Sequence, residues 1–544
     1  MAHNAPESYI QGGGRMNSNE FRNEPHIDWT NPDNRKRMLE ALEKRKITCQ
    51  KTYPIIVDGR GYITSEILSS YDPADKNRLV GVTFQPDKLL ITCAEKSAEH
   101  AGQSWRKLPW EKRAEYLLKT AQIVREKKFE MAALLVYEIS KTWDEALGEI
   151  EEAIDFLELY ARAALKYGKD TTRQPYVQAE CNLTRFRPRG TTAAISTWNF
   201  PFSLSVEKIA ASLAAGCPVL FKPAEQAPIV GWHTTKYFLD AGISPELLAY
   251  LPGGKEVGNI LITLPSVTQI SFTGSEKVGR LIEKSALETS GKLGIKNSDL
   301  EMGGSNSLII CPSADLDEAM AGVIRSRFSF NGQKCSALQR LILVGSRDDQ
   351  WIKNFISRIS LGSLKIGHPE NPENNLLTAV IDGAAHQRIT ERIQRISQKG
   401  IDTIEKADIP KGGWFARPVV FYNLPWEFYG HPDIQEEVFG PVLFILNASS
   451  LDRALEIANS TRYGLTAGIY TGSTGDIDYF LEKIQAGNVY INRPIVGAMV
   501  DRQPFGGIKC SGKGKKVGTK EHLKFYLNEM TISQNLLSRG LKTS

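Results

Sequence analysis

Residues 191–225 read TTAAISTWNFPFSLSVEKIAASLAAGCPVLFKPAE: an apolar run, a loop, an amphipathic stretch, and a second apolar run that ends on Lys222. The alternation continues downstream. Strand-like runs fall at Thr191–Ser196, Pro218–Lys222, Leu247–Leu251, Val267–Phe272 and from Leu300 onward. Amphipathic stretches at Leu204–Ala215, Ile229–Asp240, Glu256–Thr263 and Glu276–Glu288 lie between them. Strict strand–helix alternation predicts a parallel sheet covered on both faces. In such sheets ligands sit outside the carboxyl ends of the strands, so the residues just after each run are the ones to read for chemistry.

Working outward, residues 17–56 are charged and proline-punctuated, with one predicted helix at Asn34–Lys46. The clearest helix opens at Thr142, which makes a capping-box pattern with Glu145. Trp143, Leu147, Ile150, Ile154, Leu157, Ala161 and Ala164 then recur at helical spacing up to Gly168, a stripe read as core or subunit interface with no ligand in it. From Ile309 to Asn492 a second α/β region is expected. Tyr176–Arg187, read as a hairpin, and Leu523–Gln534 alternate in character, fit neither layer, and are candidates for pairing with another subunit.

The chain has 544 residues, 41% hydrophobic and 24% charged, enough for a large core and two or three domains. Lys and Arg number 67 against 62 Asp and Glu, a net +5 that calls for neither a nucleic-acid nor a membrane partner. The seven cysteines are scattered with no CxxC pair, which suits free thiols in a reducing compartment. Ile209–Phe221, the longest nearly apolar stretch, is too short to span a bilayer and holds Gly216 and Pro218. The first 25 residues are polar and include Glu7, Glu20 and Glu24, which argues against a signal or transit peptide and for a cytoplasmic protein. Gly12–Gly14 read as a leader outside the fold argument. No HExxH or paired Cys/His spacing suggests a metal.

Each strand end carries one candidate. Asn199, in Thr197-Trp198-Asn199-Phe200-Pro201, can aim an amide at a developing oxyanion or simply serve as a turn residue. Lys222 and Glu225 can hold ribose hydroxyls or form an exposed polar turn. Pro252-Gly253-Gly254 supplies a tight turn, and Phe272-Thr273-Gly274-Ser275 opens a helix whose amides could hold a pyrophosphate, or be an ordinary cap. No G-x-G-x-x-G stands at a strand end. Glu301, before Gly303-Gly304, can act as a general base or be a surface residue. Cys335, beside Lys334, is either a nucleophile whose thiolate that lysine favours or a small core residue. Glu436-Glu437-Val438-Phe439-Gly440-Pro441 and Arg502-Gln503-Pro504-Phe505-Gly506-Gly507 complete the set.

Taken in this order, with 34 positions from Glu301 to Cys335, these motifs resemble the NAD(P)-dependent aldehyde dehydrogenase superfamily from about residue 50 onward. The resemblance implies a Rossmann-type parallel-sheet NAD-binding domain, an α/β catalytic domain and a small β oligomerisation flap. The expected division is an arm at 1–50, the NAD domain at 51–308 with the 176–187 hairpin in the flap, the catalytic domain at 309–492, and a return segment at 493–544. It also implies that Cys335 attacks the aldehyde, that Asn199 and the Cys335 amide stabilise the oxyanion, and that Glu301 activates the hydrolytic water. Ser196, Trp198, Lys222, Glu225, Gly254, Phe272, Gly274, Ser275, Val278, Glu437 and Phe439 would line the cofactor site, with Glu225 favouring NAD over NADP.

Asn23-Glu24-Pro25-His26 with Asp28, Gly332-Gln333-Lys334-Cys335-Ser336-Ala337 and Asn492-Arg493-Pro494-Ile495 resemble the Δ1-pyrroline-5-carboxylate dehydrogenases. These oxidise L-glutamate γ-semialdehyde to L-glutamate in proline degradation. Ser336 and Gly518-Thr519 would then anchor the α-carboxylate of a small anionic semialdehyde, with Tyr526 as an aromatic wall. The anchor loop departs from the family pattern: Ser511-Gly512-Lys513-Gly514-Lys515-Lys516-Val517 brings lysines that either attract an anion or are solvated. The alternatives are another carboxylated semialdehyde and a non-catalytic NAD-binding member. Retention of Cys335, Glu301 and Asn199 together argues against the second. A homo-oligomer is expected, and transient contact with a separate proline-oxidising enzyme is consistent with the resemblance.

Overall fold

The predicted runs form one sheet in the computed structural model, which describes residues 20–175, 180–291, 294–372 and 376–535. Asn297–Glu301, Val267–Thr273, Thr191–Ile195, Val219–Lys222 and Leu248–Tyr250 lie side by side in that order, all parallel. Ile55–Val57 and Arg60–Tyr62 extend one edge, and Gly512–Lys513 pairs antiparallel with Asn297–Glu301 at the other. The central strands are buried throughout, as a sheet with helices on both faces requires. The chain order reverses at Thr191–Ile195, so the strand ends on either side of it open a crevice.

The strand expected from Leu300 onward instead runs Asn297–Glu301 and stops there. Its polar Asn297, Ser298 and Asp299 disguised it. Ser298 and Asp299 are nonetheless buried, Ser298 against Glu283 and Asp299 in an internal polar cluster described below. A second sheet follows in the order Asp402–Glu405, Val419–Tyr422, Val442–Ala448, Leu338–Val344, Asn306–Ile310, Thr466–Tyr470, Asn488–Ile491. Only Asp402–Glu405 is antiparallel in it. Asn306 already belongs to this second sheet.

The helix Trp143–Tyr167 forms with Thr142 as its N-cap, and its apolar stripe is buried as expected. The amino-terminal helix spans Pro32–Ile47, capped by Asn31. The hairpin begins earlier than expected, with Thr171–Arg173 paired to Glu180–Pro188; positions 176–179 of the expected hairpin lie outside the described residues. Leu527–Asn535 pairs antiparallel with Glu180–Pro188 of its own chain, so the last strand finds its ladder within the chain. That strand starts at Leu527 because Leu523 and Tyr526, in the 3-10 turn Lys520–Tyr526, are buried against the main body. Among the described residues no helix is long and apolar enough to cross a membrane.

Candidate active site

One large cavity runs along the carboxyl ends of the first sheet and reaches the second, and Asn199, Glu301 and Cys335 all line it. Cys335 follows three consecutive residues in the left-handed region: Phe330 at φ 48°, Asn331 at φ 56° and Gly332 at φ 68°. Each such non-glycine residue costs on the order of 1–3 kcal/mol and persists only where its surroundings hold it. Here the Asn331 amide donates to Thr378 Oγ1 at 3.1 Å and to the Ala379 carbonyl at 3.2 Å, while its oxygen accepts from the Thr378 amide at 3.0 Å. A Cβ on Gly332 would stand 2.6 Å from the buried Arg327 Nη2 and 2.7 Å from the Gly440 carbonyl, so only glycine fits. On the far side of the loop, Asn306 Nδ2 donates to the carbonyls of Cys335 at 2.7 Å and Ala337 at 2.9 Å. The Cys335 loop is thus fastened at both ends.

Burial pushes the Cys335 thiol up, and the carboxylates of Glu437 and Glu301 push it further. The expected help from Lys334 is not there, because its ammonium is paired with Glu145 at 2.8 Å. The thiol therefore rests protonated at neutral pH. Glu301 ends its strand with Oε2 buried and without a hydrogen-bond partner among the described residues. Burial, then Asp299 and Glu207, hold its carboxyl well above the usual range, against the pull of Lys208 and Lys516. Asn199 Nδ2 donates to the Gln333 carbonyl at 2.9 Å and its Oδ1 accepts from Thr197, which fixes the amide beside the Cys335 loop and leaves its second N–H free to donate.

At one end of the cavity lie Ser196, Trp198, Lys222, Glu225, Gly254, Phe272, Gly274, Ser275 and Val278. Lys222 Nζ donates to the carbonyls of Pro223 at 3.0 Å and Gly253 at 2.5 Å, which leaves one donor for a ligand. Burial lowers its pKa to about 8, against the pull of Glu225. A Cβ on Gly254 would press to 2.9 Å on Glu225 Oε2 and fill the gap beside that exposed carboxylate. Ser275 caps the helix Glu276–Glu288, and Ser275, Lys277 and Val278 at its start line the cavity. Glu437 accepts from the Gly304 amide at 3.0 Å, and Trp198 packs edge-on to Phe439 with centroids 5.3 Å apart. A carboxylate–lysine pair for a ribose, a glycine gap and a helix start for a pyrophosphate are the donor set a dinucleotide requires.

The opposite end departs from expectation. Ser336 and Gly518 line it, but Thr519 and Tyr526 do not. Thr519 caps the Lys520–Tyr526 turn by accepting from the His522 amide at 3.2 Å. Tyr526 is fully buried with its hydroxyl 3.1 Å from Ser271 Oγ, so it is core and no wall. Lys513 pairs with Glu283 and Lys516 donates to the Gly487 carbonyl; neither lysine, nor Lys515, faces the cavity. The cavity lining does include Arg325 and Arg493, as well as Lys208 and Lys334, which are paired with Glu207 and Glu145.

The helix Trp143–Tyr167, read as free of ligands, supplies Glu145, Glu149, Glu152, Asp155 and Phe156 to this wall. Glu149 forms a fully buried 2.6 Å pair with Lys141 and accepts from the amides of Phe202 at 2.7 Å and Ser203 at 3.1 Å. Lys141 also stands 3.7 Å over the Phe200 ring, so this pair props the loop that carries Asn199. The arm crosses the same helix: Asn23 and the Glu24 amide donate to Asp155 at 2.8 and 2.6 Å. Acidic residues flanking an apolar stripe were the available signal for these contacts.

The aldehyde dehydrogenase family profile matches residues 62–532. A 1-pyrroline-5-carboxylate dehydrogenase of Geobacillus sp. (strain WCH70) is 37% identical over 520 residues, 94% of this chain and 99% of the relative. A crystal structure of 1-pyrroline-5-carboxylate dehydrogenase from Thermus with bound NAD superposes with a TM-score of 0.90 at 34% identity, covering 96% of this chain and 100% of that one. Proline utilization A from Bdellovibrio bacteriovorus superposes with a TM-score of 0.92 at 36% identity; it matches 97% of this chain, which spans 55% of that longer protein.

Proposed function

The chain belongs to the aldehyde dehydrogenase family, and from that premise we propose that it oxidises L-glutamate γ-semialdehyde, the open form of Δ1-pyrroline-5-carboxylate, to L-glutamate with NAD. The observation that carries this reading is the convergence of Asn199, Glu301 and Cys335 on one cavity that joins a ribose-binding end to a wall that includes Arg325 and Arg493.

The Cys335 thiol gives its proton to water in the open cavity, Sγ bonds to the aldehyde carbon as the carbonyl π bond opens, and the oxyanion so formed takes hydrogen bonds from the free Asn199 N–H and the Cys335 amide. NAD, when bound, accepts the hydride from that carbon. Lys222 and Glu225 hold the adenine ribose, Glu437 the nicotinamide ribose, and the Ser275 helix start the pyrophosphate. Cys335 is left as a thioester. Glu301 takes a proton from the attacking water, the C–S bond breaks, and the acid departs as the thiol is restored. Ser336 and the Gly518 loop hold the substrate carboxylate, with Arg325 and Arg493 favouring an anion there.

The three-stranded tongue of Thr171–Arg173, Glu180–Pro188 and Leu527–Asn535 has the form of an oligomerisation element, and we assign the protein to a cytoplasmic homo-oligomer. The semialdehyde's supply by a proline-oxidising enzyme is part of the same reading. Rapid mixing of a Glu301→Gln variant with substrate and NAD tests the chemistry. NADH should appear once per active site and then stop, as the thioester accumulates. Multiple turnovers at the wild-type rate would remove Glu301 from the hydrolytic step.

A further inference from the structure

Next to Glu301 on the same strand lies Asp299, part of a buried cluster that the reaction above does not use. Asp299 and Glu301 are two apart on one strand, so their side chains share a face. His522, from the Lys520–Tyr526 turn, is fully buried with Nε2 2.8 Å from Asp299 Oδ2 and Nδ1 3.3 Å from Glu207 Oε1. Glu207 also holds Lys208 at 3.0 Å, and Lys208 reaches the cavity wall. The Tyr160 hydroxyl lies 3.4 Å from Glu207 Oε1 and 2.8 Å from His522 Nδ1, within hydrogen-bond reach of both. Tyr526 closes the group with its ring edge-on to the imidazole.

Nε2 thus lies against one carboxylate and Nδ1 within 3.3 Å of a second, so a charged imidazole is paired on both sides whichever way the Tyr160 hydroxyl points. Among the described residues the imidazole is the cation that Asp299 contacts, and Asp299 Oδ1 is buried with no hydrogen-bond partner. We propose that His522 is held as the imidazolium and is a positioning residue for hydrolysis: by cancelling the charge of Asp299, and by sharing Glu207 with Lys208, it lets Glu301 ionise beside the thioester. The charged groups facing Glu301 are Asp299 on its own strand, Glu207 and Lys208 on the helix Ser203–Ala215, Lys516 on the return segment and Cys335 across the cavity. Those facing His522 are Asp299, Glu207, Lys208, Tyr160 and Tyr526. Burial alone would discharge the imidazole; Asp299 and Glu207 outweigh it and raise its pKa.

This inference rests on Glu301 as the general base. Its test is the pH profile of steady-state turnover beside the rate of the first NADH burst, for wild type, His522→Gln and the double variant Asp299→Asn/His522→Gln. In His522→Gln the burst should keep its wild-type rate, while the rising limb of turnover moves to higher pH by about one pH unit, the effect of one uncompensated neighbouring charge. The double variant, which removes both opposite charges, should return the limb to its wild-type position. Turnover lowered equally at every pH, with the limb unmoved, would overturn the proposal. If His522→Gln does not fold, the double variant decides: a wild-type limb supports charge cancellation and a displaced limb refutes it. Glu301→Gln, run alongside, separates the two readings. Loss of hydrolysis there with an unmoved His522→Gln limb refutes only the role of His522. Retained hydrolysis removes the base assignment and this inference with it.

Discussion

The two ends of the cavity are built differently. At the Lys222–Glu225 end each side chain or turn follows directly from one parallel strand: Ser196 after Thr191–Ile195, Glu225 after Val219–Lys222, Gly254 after Leu248–Tyr250, Ser275 after Val267–Thr273. At the Ser336–Gly518 end the wall is gathered from the arm, the helix Trp143–Tyr167, the Cys335 loop and the return segment, which meet only in the folded chain. The first kind of site is local and tolerates change one residue at a time. The second depends on buried polar ties between distant segments, so its variants should lose stability together with function.

The largest expected effect is therefore at Lys141→Met. Removing the ammonium leaves Glu149 buried and unpaired, at a cost of about 3 kcal/mol in unfolding free energy. Denaturant titration reads that loss, and turnover should fall with it, because the loop carrying Asn199 loses its prop. Stability within the error of wild type would break the contrast between the two ends.

At the other end, Glu225→Ser should leave the unfolding free energy unchanged. It should lower the preference for NAD over NADP by about tenfold, or about 1.4 kcal/mol, since the carboxylate no longer repels a 2′-phosphate. Paired kcat/KM values with the two cofactors check this.

Glu437 gives a pH handle at the same end. Burial pushes its carboxyl up to about 7, against the Gly304 amide, Arg327 and Arg392. A carboxyl raised this way favours the folded state while protonated, and that contribution is lost as pH rises through about 7. Hydrogen bonds from ribose hydroxyls need the ionised form, so the KM for NAD should fall as pH rises from about 6 to about 8, by roughly tenfold at most. The Glu437→Gln variant should show a flat profile.

The smallest effect is assigned to Tyr526→Phe. It deletes the hydrogen bond to Ser271, worth about 1 kcal/mol of stability, and leaves the KM for the aldehyde unchanged. A raised KM with unchanged stability would restore Tyr526 to the substrate wall.

The same contrast explains how much could be read in advance. Strand–helix alternation is a local property, and the residues after each predicted strand are the ones that line the cofactor end. Asn199, Glu301 and Cys335 were legible for the same reason, each sitting in a loop or strand end beside glycine or proline. Lys141, Glu149 and Asn306 were not, because each acts through a partner far away in the chain: Glu149 caps the amides of Phe202 and Ser203, and Asn306 clamps the Cys335 carbonyl. Thr519 and Tyr526 were misplaced because position within a loop does not tell which face is buried. The strand Asn297–Glu301 hid behind Ser298 and Asp299, polar residues whose partners are distant in the chain: Glu283 and Lys513 for Ser298, and His522 from residues 520–526 for Asp299.

The most direct measurement is NADH formation from Δ1-pyrroline-5-carboxylate and NAD, run beside simple and other carboxylated aldehydes, with wild type and Cys335→Ala. The account predicts turnover that is strongest on pyrroline-5-carboxylate and absent in Cys335→Ala. Turnover that survives Cys335→Ala, or folded protein that binds NAD and turns over no pyrroline-5-carboxylate, would contradict it.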